Sequence, residues 1–73
     1  MLPTDPAYLV PDFVRSKVGH VKGVAIYLGF ERMDGTSTWR IDVDGVLFEE
    51  GDGQRDEILA ASARAHTHAG LIQ

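Results

Sequence analysis

The chain has 73 residues, of which 44% are hydrophobic and none is cysteine. This length fits one small domain, 1–73, which buries only about 60% of the surface that the unfolded chain exposes. The absence of cysteine excludes disulfides, thiolate metal sites and cysteine nucleophiles. The longest apolar stretch, residues 24–30, is far shorter than the roughly 20 residues that span a bilayer, and no signal region opens the sequence. We therefore expect a cytoplasmic protein that does not act at a membrane.

The net charge of -4 is unevenly distributed along the chain. Residues 1–40 carry a net charge of +1, whereas residues 41–73 carry -5. Binding to a broad phosphate surface depends on clustered lysine and arginine side chains. The acidic second half therefore weighs against broad nucleic-acid binding and leaves only a narrow basic face for it. The same acidity suits docking on a basic protein, or mimicry of nucleic acid toward an enzyme that binds it.

Local features predict a short helix over residues 11–18. Pro11 suits the first turn, Asp12 favours the positive end of the helix dipole, and Gly19 can end the helix. The preceding residues, 1–10, look irregular but are apolar enough that we expect them to pack onto the domain.

Three strands are predicted at about 21–33, 36–44 and 45–50, because apolar side chains alternate along them. Two Asp-Gly pairs, at 34–35 and 44–45, are typical of two-residue hairpin turns of type I′. Together they predict a three-stranded antiparallel meander with the second strand in the centre.

The two turns also predict which side chains lie opposite each other. The first turn places Phe30 opposite Trp39, and the second places Ile41 opposite Phe48. In this register one face of the sheet is apolar throughout. Its members are Val24, Ile26, Leu28, Phe30, Trp39, Ile41, Val43, Val46 and Phe48.

A helix over about 54–69 is predicted to cover this apolar face. Asp56 and Glu57 favour its N-terminal end, and Gly70 is expected to end it. Small and apolar side chains recur at helical spacing along one stripe: Ile58, Ala61, Ser62, Ala65, Ala69 and Ile72. The expected fold is α+β, with the element order αβββα.

The segment 42–48, Asp-Val-Asp-Gly-Val-Leu-Phe, resembles the first motif of the haloacid dehalogenase phosphatase superfamily. The resemblance implies that Asp42 is a phosphoryl-accepting nucleophile and Asp44 an acid/base, with Mg²⁺ between carboxylates and phosphate. That family also needs a later lysine, and no lysine follows Lys22. An Asp-Gly hairpin turn explains the same letters, so phosphatase activity is the remote alternative and we predict no enzyme.

Histidines offer a second candidate site. His66 and His68, with His20 as a third candidate, could hold a metal ion if their side chains shared one face. On a helix, neighbours two apart diverge by about 200°. No acid is placed to orient His66 toward Ser62 as a nucleophilic dyad requires, so an ordinary hydrogen bond is expected there. We predict no metal site, no cofactor and no catalytic residue.

The outer face of the sheet, away from the helix, offers the third candidate. Tyr27, Gly29, Arg32 and Arg40 would combine an aromatic ring, a bare backbone patch and two guanidinium groups there. Tyrosine and arginine are the residues that most often anchor protein interfaces. We therefore predict a binding surface made of these four residues, with plain solvent exposure of a polar face as the alternative.

The layout permits two functional interpretations of that face. A sheet followed by a helix resembles AP2-type and integrase-arm DNA-binding domains, and the order αβββα resembles double-stranded-RNA-binding domains. The resemblance implies nucleic-acid binding through Arg32 and Arg40, but Glu31, Asp42 and Glu49 would repel phosphate there. We therefore predict a non-enzymatic adaptor or regulatory protein that binds another protein.

A homodimer is the expected assembly. The predicted first strand is long and lies at an edge of the sheet, and a small domain gains stability by burying such an edge against a second copy.

Overall fold

The computed structural model describes residues 10–71, which form two helices and one three-stranded sheet. In chain order these are helix α1 (Asp12–Val18), strands β1 (Val24–Leu28), β2 (Ser37–Val43) and β3 (Val46–Gly53), and helix α2 (Arg55–Leu71). The sheet is antiparallel in the order β1-β2-β3, and α2 packs against every strand and against α1. The predicted α+β fold is confirmed. Two expectations, the packing of residues 1–9 and the place of Ile72, fall outside the described residues.

Helix α1 ends at Val18, as its sequence predicts, and begins at Asp12, one residue after the predicted start. The Pro11 carbonyl accepts hydrogen bonds from the backbone N–H groups of Val14 (3.0 Å) and Arg15 (2.9 Å). At the other end Gly19 takes a left-handed φ of 88° and donates its N–H to the Arg15 carbonyl. Val10 and Val14 are buried in the core, so the segment around α1 is part of the domain.

The turn between β2 and β3 is the predicted type I′ turn. Asp44 has a φ of 52° and Gly45 a φ of 80°, the two left-handed positions that this turn requires. Val43 lies opposite Val46, as expected. Asp44 is the single non-glycine residue among residues 10–71 with a positive φ, which aspartate tolerates better than most residues.

Beyond this turn the predicted register is wrong by one residue. Ile41 lies opposite Glu49, not Phe48, because β3 contains an extra residue after the Asp42–Leu47 pair. Such a β-bulge bends the strand and leaves one residue unpaired. As a result, every later residue of β3 changes the face on which it lies.

The bulge gives Trp39 a glycine to pack on. Without it Trp39 would lie opposite Glu50, whereas the bulged strand places Gly51 there. A Cβ atom at Gly51 would lie 2.6 Å from Cζ2 of the indole, closer than two carbon atoms can approach. The ring thus lies directly on the strand backbone, and the charged side chain of Glu50 lies on the outer face.

The first Asp-Gly pair forms a different turn from the predicted one. Gly35 has a φ of 84°, but Asp34 does not have a positive φ. The Gly35 N–H donates to the Arg32 carbonyl (2.9 Å), and the Arg32 N–H donates to the Thr36 carbonyl (2.8 Å). These bonds define a type I turn followed by a left-handed glycine, which is a three-residue loop.

The register of β1 differs from the predicted one by two residues: the longer loop, which pairs Arg32 with Thr36, accounts for one, and an extra residue between Gly29 and Arg32 accounts for the other. Leu28, not Phe30, lies opposite Trp39, and Ile26 lies opposite Ile41. A shift of two keeps the same side chains on the inner face. It also ends the strand at Leu28, so β1 has five residues and the predicted strand 21–33 is wrong in length.

The core lies between the inner face of the sheet and α2. Of the nine side chains predicted for this face, Val24, Ile26, Ile41 and Val43 are buried, and Trp39 and Phe48 pack partly against them. Leu28, Phe30 and Val46 are exposed, which corrects their assignment. The predicted stripe of α2 is buried at Ile58, Ala61, Ser62, Ala65 and Ala69.

Helix α2 continues past its predicted end, because Gly70 lies within the helix rather than after it. Neither α2 nor α1 has the length and apolar character that crossing a membrane requires.

Gly51→Ala is expected to destabilise the protein. Its Cβ would force the Trp39 ring off the strand, and overpacking of this kind costs about 1–3 kcal/mol. Urea denaturation followed by tryptophan fluorescence measures the free energy of unfolding.

Gly70→Ala is the matched control, because a Cβ at Gly70 meets no atom within 4 Å and alanine favours a helix. We expect this variant to be at least as stable as the wild type. Equal stability of Gly51→Ala and the wild type would contradict the proposed packing.

Candidate functional site

The outer face of the sheet carries three rows of side chains. In the central row Tyr27 of β1 lies opposite Arg40 of β2, which in turn lies opposite Glu50 of β3. The rows on either side consist of Ala25, Asp42 and Leu47, and of Gly29, Thr38 and Asp52. Three carboxylates and one arginine therefore stand on a face that is otherwise apolar or neutral.

Tyr27, Arg40 and Asp42 form one cluster on this face. The Nε atom of Arg40 donates to Oδ1 of Asp42 at 2.8 Å. The Asp42 side chain is only 10% exposed, whereas that of Arg40 is 52% exposed. These three residues line a shallow depression of about 250 Å³. The guanidinium therefore lies over a buried carboxylate, beside a half-exposed tyrosine ring.

The electrostatics of this cluster hold Arg40 in its charged form. The hydrogen bond to Asp42 and the charge of Asp42 raise the pKa of Arg40, and the nearby charge of Glu50 adds to the effect. Arginine stays protonated at any ordinary pH, so these carboxylates affect the position of the Arg40 guanidinium rather than its protonation. The carboxylates fix where the positive charge lies, and they also neutralise it.

Arg32 and Gly29, predicted for the same surface, lie at the end of the outer face where the loop 29–36 begins. Arg32 makes two hydrogen bonds to Asp52, with Nη1 to Oδ1 at 2.6 Å and Nη2 to Oδ2 at 2.9 Å. This carboxylate raises the pKa of Arg32. Gly29 donates its N–H to the Thr38 carbonyl, and a Cβ there would overlap the Thr38 hydroxyl. Gly29 and Asp52, the partner of Arg32, therefore lie in the outer-face row next to that of Tyr27 and Arg40.

Two exposed apolar side chains on the same loop were missed by sequence reasoning. Phe30 is 98% exposed and Met33 is fully exposed. Phe30 was assigned to the core because it continues the alternation of β1. Met33 directly precedes an Asp-Gly turn, and that position could have identified it as a loop residue.

Four contacts hold this loop in place. Besides the bond between Arg32 and Asp52, Glu31 forms an ion pair with Arg55 (3.3 Å), and the Gln54 amide donates to the Asp34 carbonyl (3.0 Å). Asp34 Oδ1 accepts the Thr36 N–H (3.0 Å) and the Thr36 hydroxyl (2.7 Å). The loop is thus fixed at both of its sides and at its tip.

The side chains of the two candidate histidines, His66 and His68, do not face a common site. The Nδ1 atom of His66 lies 2.7 Å from the Ser62 carbonyl oxygen, so Nδ1 carries a proton and donates it. The His68 ring packs against Phe48, with ring centroids 5.0 Å apart. His20 lies exposed in the loop after α1. Among residues 10–71, no three histidine or carboxylate side chains are grouped to hold a metal ion.

The Ser62 hydroxyl does not serve His66 either. It donates to the Ile58 carbonyl one turn earlier at 2.7 Å, while the imidazole bonds the Ser62 backbone. The expected hydrogen bond between the two residues therefore forms through the main chain. The hydroxyl and the imidazole each donate to a backbone carbonyl, so this arrangement is not that of a nucleophile bonded to its base.

The two aspartates of the phosphatase-like segment have separate surroundings. Asp42 is buried on the outer face and bonded to Arg40, whereas Asp44 lies exposed in the turn against Gly23. In that family the corresponding motif follows a parallel strand, and this sheet is antiparallel. The segment acts here as a strand end followed by a hairpin turn.

Comparison of the chain with known protein families, with characterised proteins and with solved structures finds no match. Functional inference therefore rests on the surface described above.

We expect Asp34 to titrate below the usual range of aspartate. Its hydrogen bonds from the Thr36 hydroxyl and backbone lower the pKa of the carboxyl group. A lowered pKa in the folded state stabilises the loop above the unfolded value of about 3.9, and this is lost as pH falls through the folded pKa. Carbon-detected NMR titration measures the pKa directly.

Thr36→Val should raise the pKa of Asp34 toward its ordinary value, because the hydroxyl donor is removed and only the N–H remains. Thr67→Val on the exposed face of α2 is the control and should leave the titration unchanged. A Thr36→Val titration curve identical to that of the wild type would contradict this hydrogen-bond network.

Proposed function

We propose that the protein is a non-enzymatic adaptor or regulatory module that binds another protein through the outer face of its sheet. The observation that carries the proposal is the cluster of Tyr27, Arg40 and Asp42. It presents an exposed aromatic ring and a fixed guanidinium around a depression, as protein interfaces often do.

The cluster is organised before any partner arrives. Arg40 is held by Asp42 on the same strand, and Tyr27 lies on a strand whose preceding residues, 24–26, are buried. Side chains that are already fixed lose less conformational freedom on binding, so more of the contact energy contributes to affinity. A partner that contributes a carboxylate or a carbonyl group would find the remaining guanidinium donors of Arg40.

The homodimer stays a prediction, but edge pairing of β1 no longer supports it. The strand has five residues, and Val24, Ala25 and Ile26 are buried. The opposite edge strand, β3, carries a bulge and several acidic residues, which are features that discourage pairing between edges. The proposal therefore takes a different protein as the partner. Sedimentation at micromolar concentrations tests the dimer, and a species of 8.0 kDa throughout would contradict it.

DNA binding through the outer face is the weaker candidate. Arg32 and Arg40 are each bonded to a carboxylate, and Glu50 adds a further negative charge beside them. Contacts to phosphate need arginines that can turn toward the nucleic acid. We expect no retardation of duplex DNA in a mobility-shift assay at low salt, and salt-sensitive retardation would restore this candidate.

Two variants of the outer face test the proposal. Tyr27→Ala removes the exposed ring, and the double substitution Arg40→Gln with Asp42→Asn removes both charges, so that no buried carboxylate loses its partner. In affinity capture from the source cells with quantitative mass spectrometry, we expect each variant to lose the proteins that the wild type retains by about tenfold or more.

The matched control is Arg64→Gln with Glu49→Gln. This pair also joins a half-exposed arginine to a carboxylate, at 2.9 Å, but lies between α2 and β3. We expect this control to retain the same proteins as the wild type. Identical sets of captured proteins for the wild type, the outer-face variants and the control would contradict the proposed surface.

A further inference from the structure

We propose that the loop 29–36 is an apolar anchor, which inserts Phe30 and Met33 into an apolar pocket of the partner protein. The inference rests on the proposed function, since it assumes a protein partner, and it adds the chemistry by which that partner is recognised. Both side chains are almost completely exposed, although each is large and apolar. Single exposed apolar residues are ordinary, but these two belong to one short loop that is fixed to the rest of the domain.

Because the loop is already ordered, it loses little conformational entropy when it binds. Its turn is closed by backbone hydrogen bonds from Arg32 to Thr36 and from Gly35 to Arg32, and the Asp34 carbonyl at its tip accepts a hydrogen bond from Gln54. Its base is joined to β3 by the two hydrogen bonds between Arg32 and Asp52. A fixed loop that carries two large exposed apolar side chains is preorganised for insertion.

The charges of the loop indicate the chemistry of the partner. Glu31 is paired with Arg55, Arg32 with Asp52, and the Asp34 carboxylate accepts two hydrogen bonds from Thr36. Each charged group of the loop therefore has a partner within the chain. The exposed groups that remain for contact are the phenyl ring and the thioether, so the complementary surface is an uncharged apolar pocket.

The same end of the sheet extends this apolar surface toward the candidate cluster. Tyr27 is 44% exposed on the outer face and lies two residues before the loop. An apolar centre beside Tyr27 and Arg40 matches the usual anatomy of an interface, in which polar groups surround buried anchors. The loop and the outer face would then contact one partner together.

A lipid surface is the other chemistry that accepts exposed phenylalanine and methionine. The net charge of -4 disfavours approach to anionic lipid, and the loop has no unpaired basic group to offset it. We therefore commit to a protein partner, and a lipid adduct becomes an outcome that overturns the proposal.

Site-specific photo-crosslinking tests the anchor. Benzoylphenylalanine replaces Phe30 in one form of the full chain and, in the control form, Val46, an exposed apolar residue of the β2–β3 hairpin that lies outside the outer face. After irradiation in an extract of the source cells, mass spectrometry identifies the residue to which each probe is bound. We expect position 30 to give at least tenfold more adduct than position 46, on an apolar residue of another protein.

Substitutions then measure the contribution of the anchor. The double variant Phe30→Ser with Met33→Ser should weaken binding to the crosslinked protein by tenfold or more, and its folding should be unaffected because both residues are exposed. Val46→Ser is the control, because Val46 is also exposed and apolar but lies outside the outer face, and this variant should bind as the wild type does.

Arg32→Gln tests whether the pair of Arg32 and Asp52 positions the loop. This variant keeps Phe30 and Met33 but loses the two hydrogen bonds from the guanidinium to Asp52. Binding should therefore weaken, although both apolar side chains are still present. If Arg32→Gln binds the partner as tightly as the wild type does, binding does not require the pair of Arg32 and Asp52. A fall in affinity with circular dichroism like that of the wild type would support that requirement.

Three results would overturn the anchor: equal adduct from positions 30 and 46, an adduct on a second copy of this chain, or an adduct on lipid. Failure of the anchor alone is distinguishable from failure of the proposed function. If Tyr27→Ala loses the partner and Phe30→Ser with Met33→Ser retains it, the outer face binds without the loop. If both retain it, neither surface is used.

Discussion

The close approach of α2 to the sheet is the constraint on which the rest of the structure depends. Ala61, Ala65 and Ala69 have no exposed surface, and their small side chains let the helix lie near Ile41 and Val43. Each alanine buries little area, so the core gains less from burial there than a leucine stripe would provide. The sides of the interface must therefore be closed by larger groups. Trp39 of β2 closes the side next to β3. Val14 of α1, the helix that packs against α2, is buried in the same core.

The charged contacts follow from the position that packing gives to α2. Arg64 reaches Glu49 of β3, and Arg55 reaches both Glu31 and the Phe13 ring, 4.6 Å from its guanidinium carbon. Exposed ion pairs of this kind contribute little to stability. Their consequence is geometric, because the residues that begin α2 hold the loop 29–36. Displacement of the helix would therefore move the loop and, with it, Phe30.

Alternation and turn chemistry predicted the faces of β1 and β2, but neither the face of β3 beyond its bulge nor the length of β1. The same two letters, Asp-Gly, formed a type I′ turn at 44–45 and a longer loop at 34–35. The difference lies in Asp34, whose carboxylate bonds Thr36 two residues later, an interaction that competes with the two-residue hairpin. The bulge in β3 was equally invisible, because it is favoured by the ring of Trp39, which lies on another strand and needs Gly51 beneath it.

The candidate site was predicted in the same uneven way. Tyr27 and Arg40 do lie together on the outer face, since a register shift of two residues leaves faces unchanged. Arg32 was expected to be a contact residue, but its charge is used within the chain to fix the loop. Phe30 has the spacing of a core residue and lies beyond the end of its strand. Alternation cannot show where pairing stops, so an apolar residue just past a strand end is read as core. In this chain the loop contacts that end the strand also expose Phe30, which makes a residue of core-like pattern available for binding.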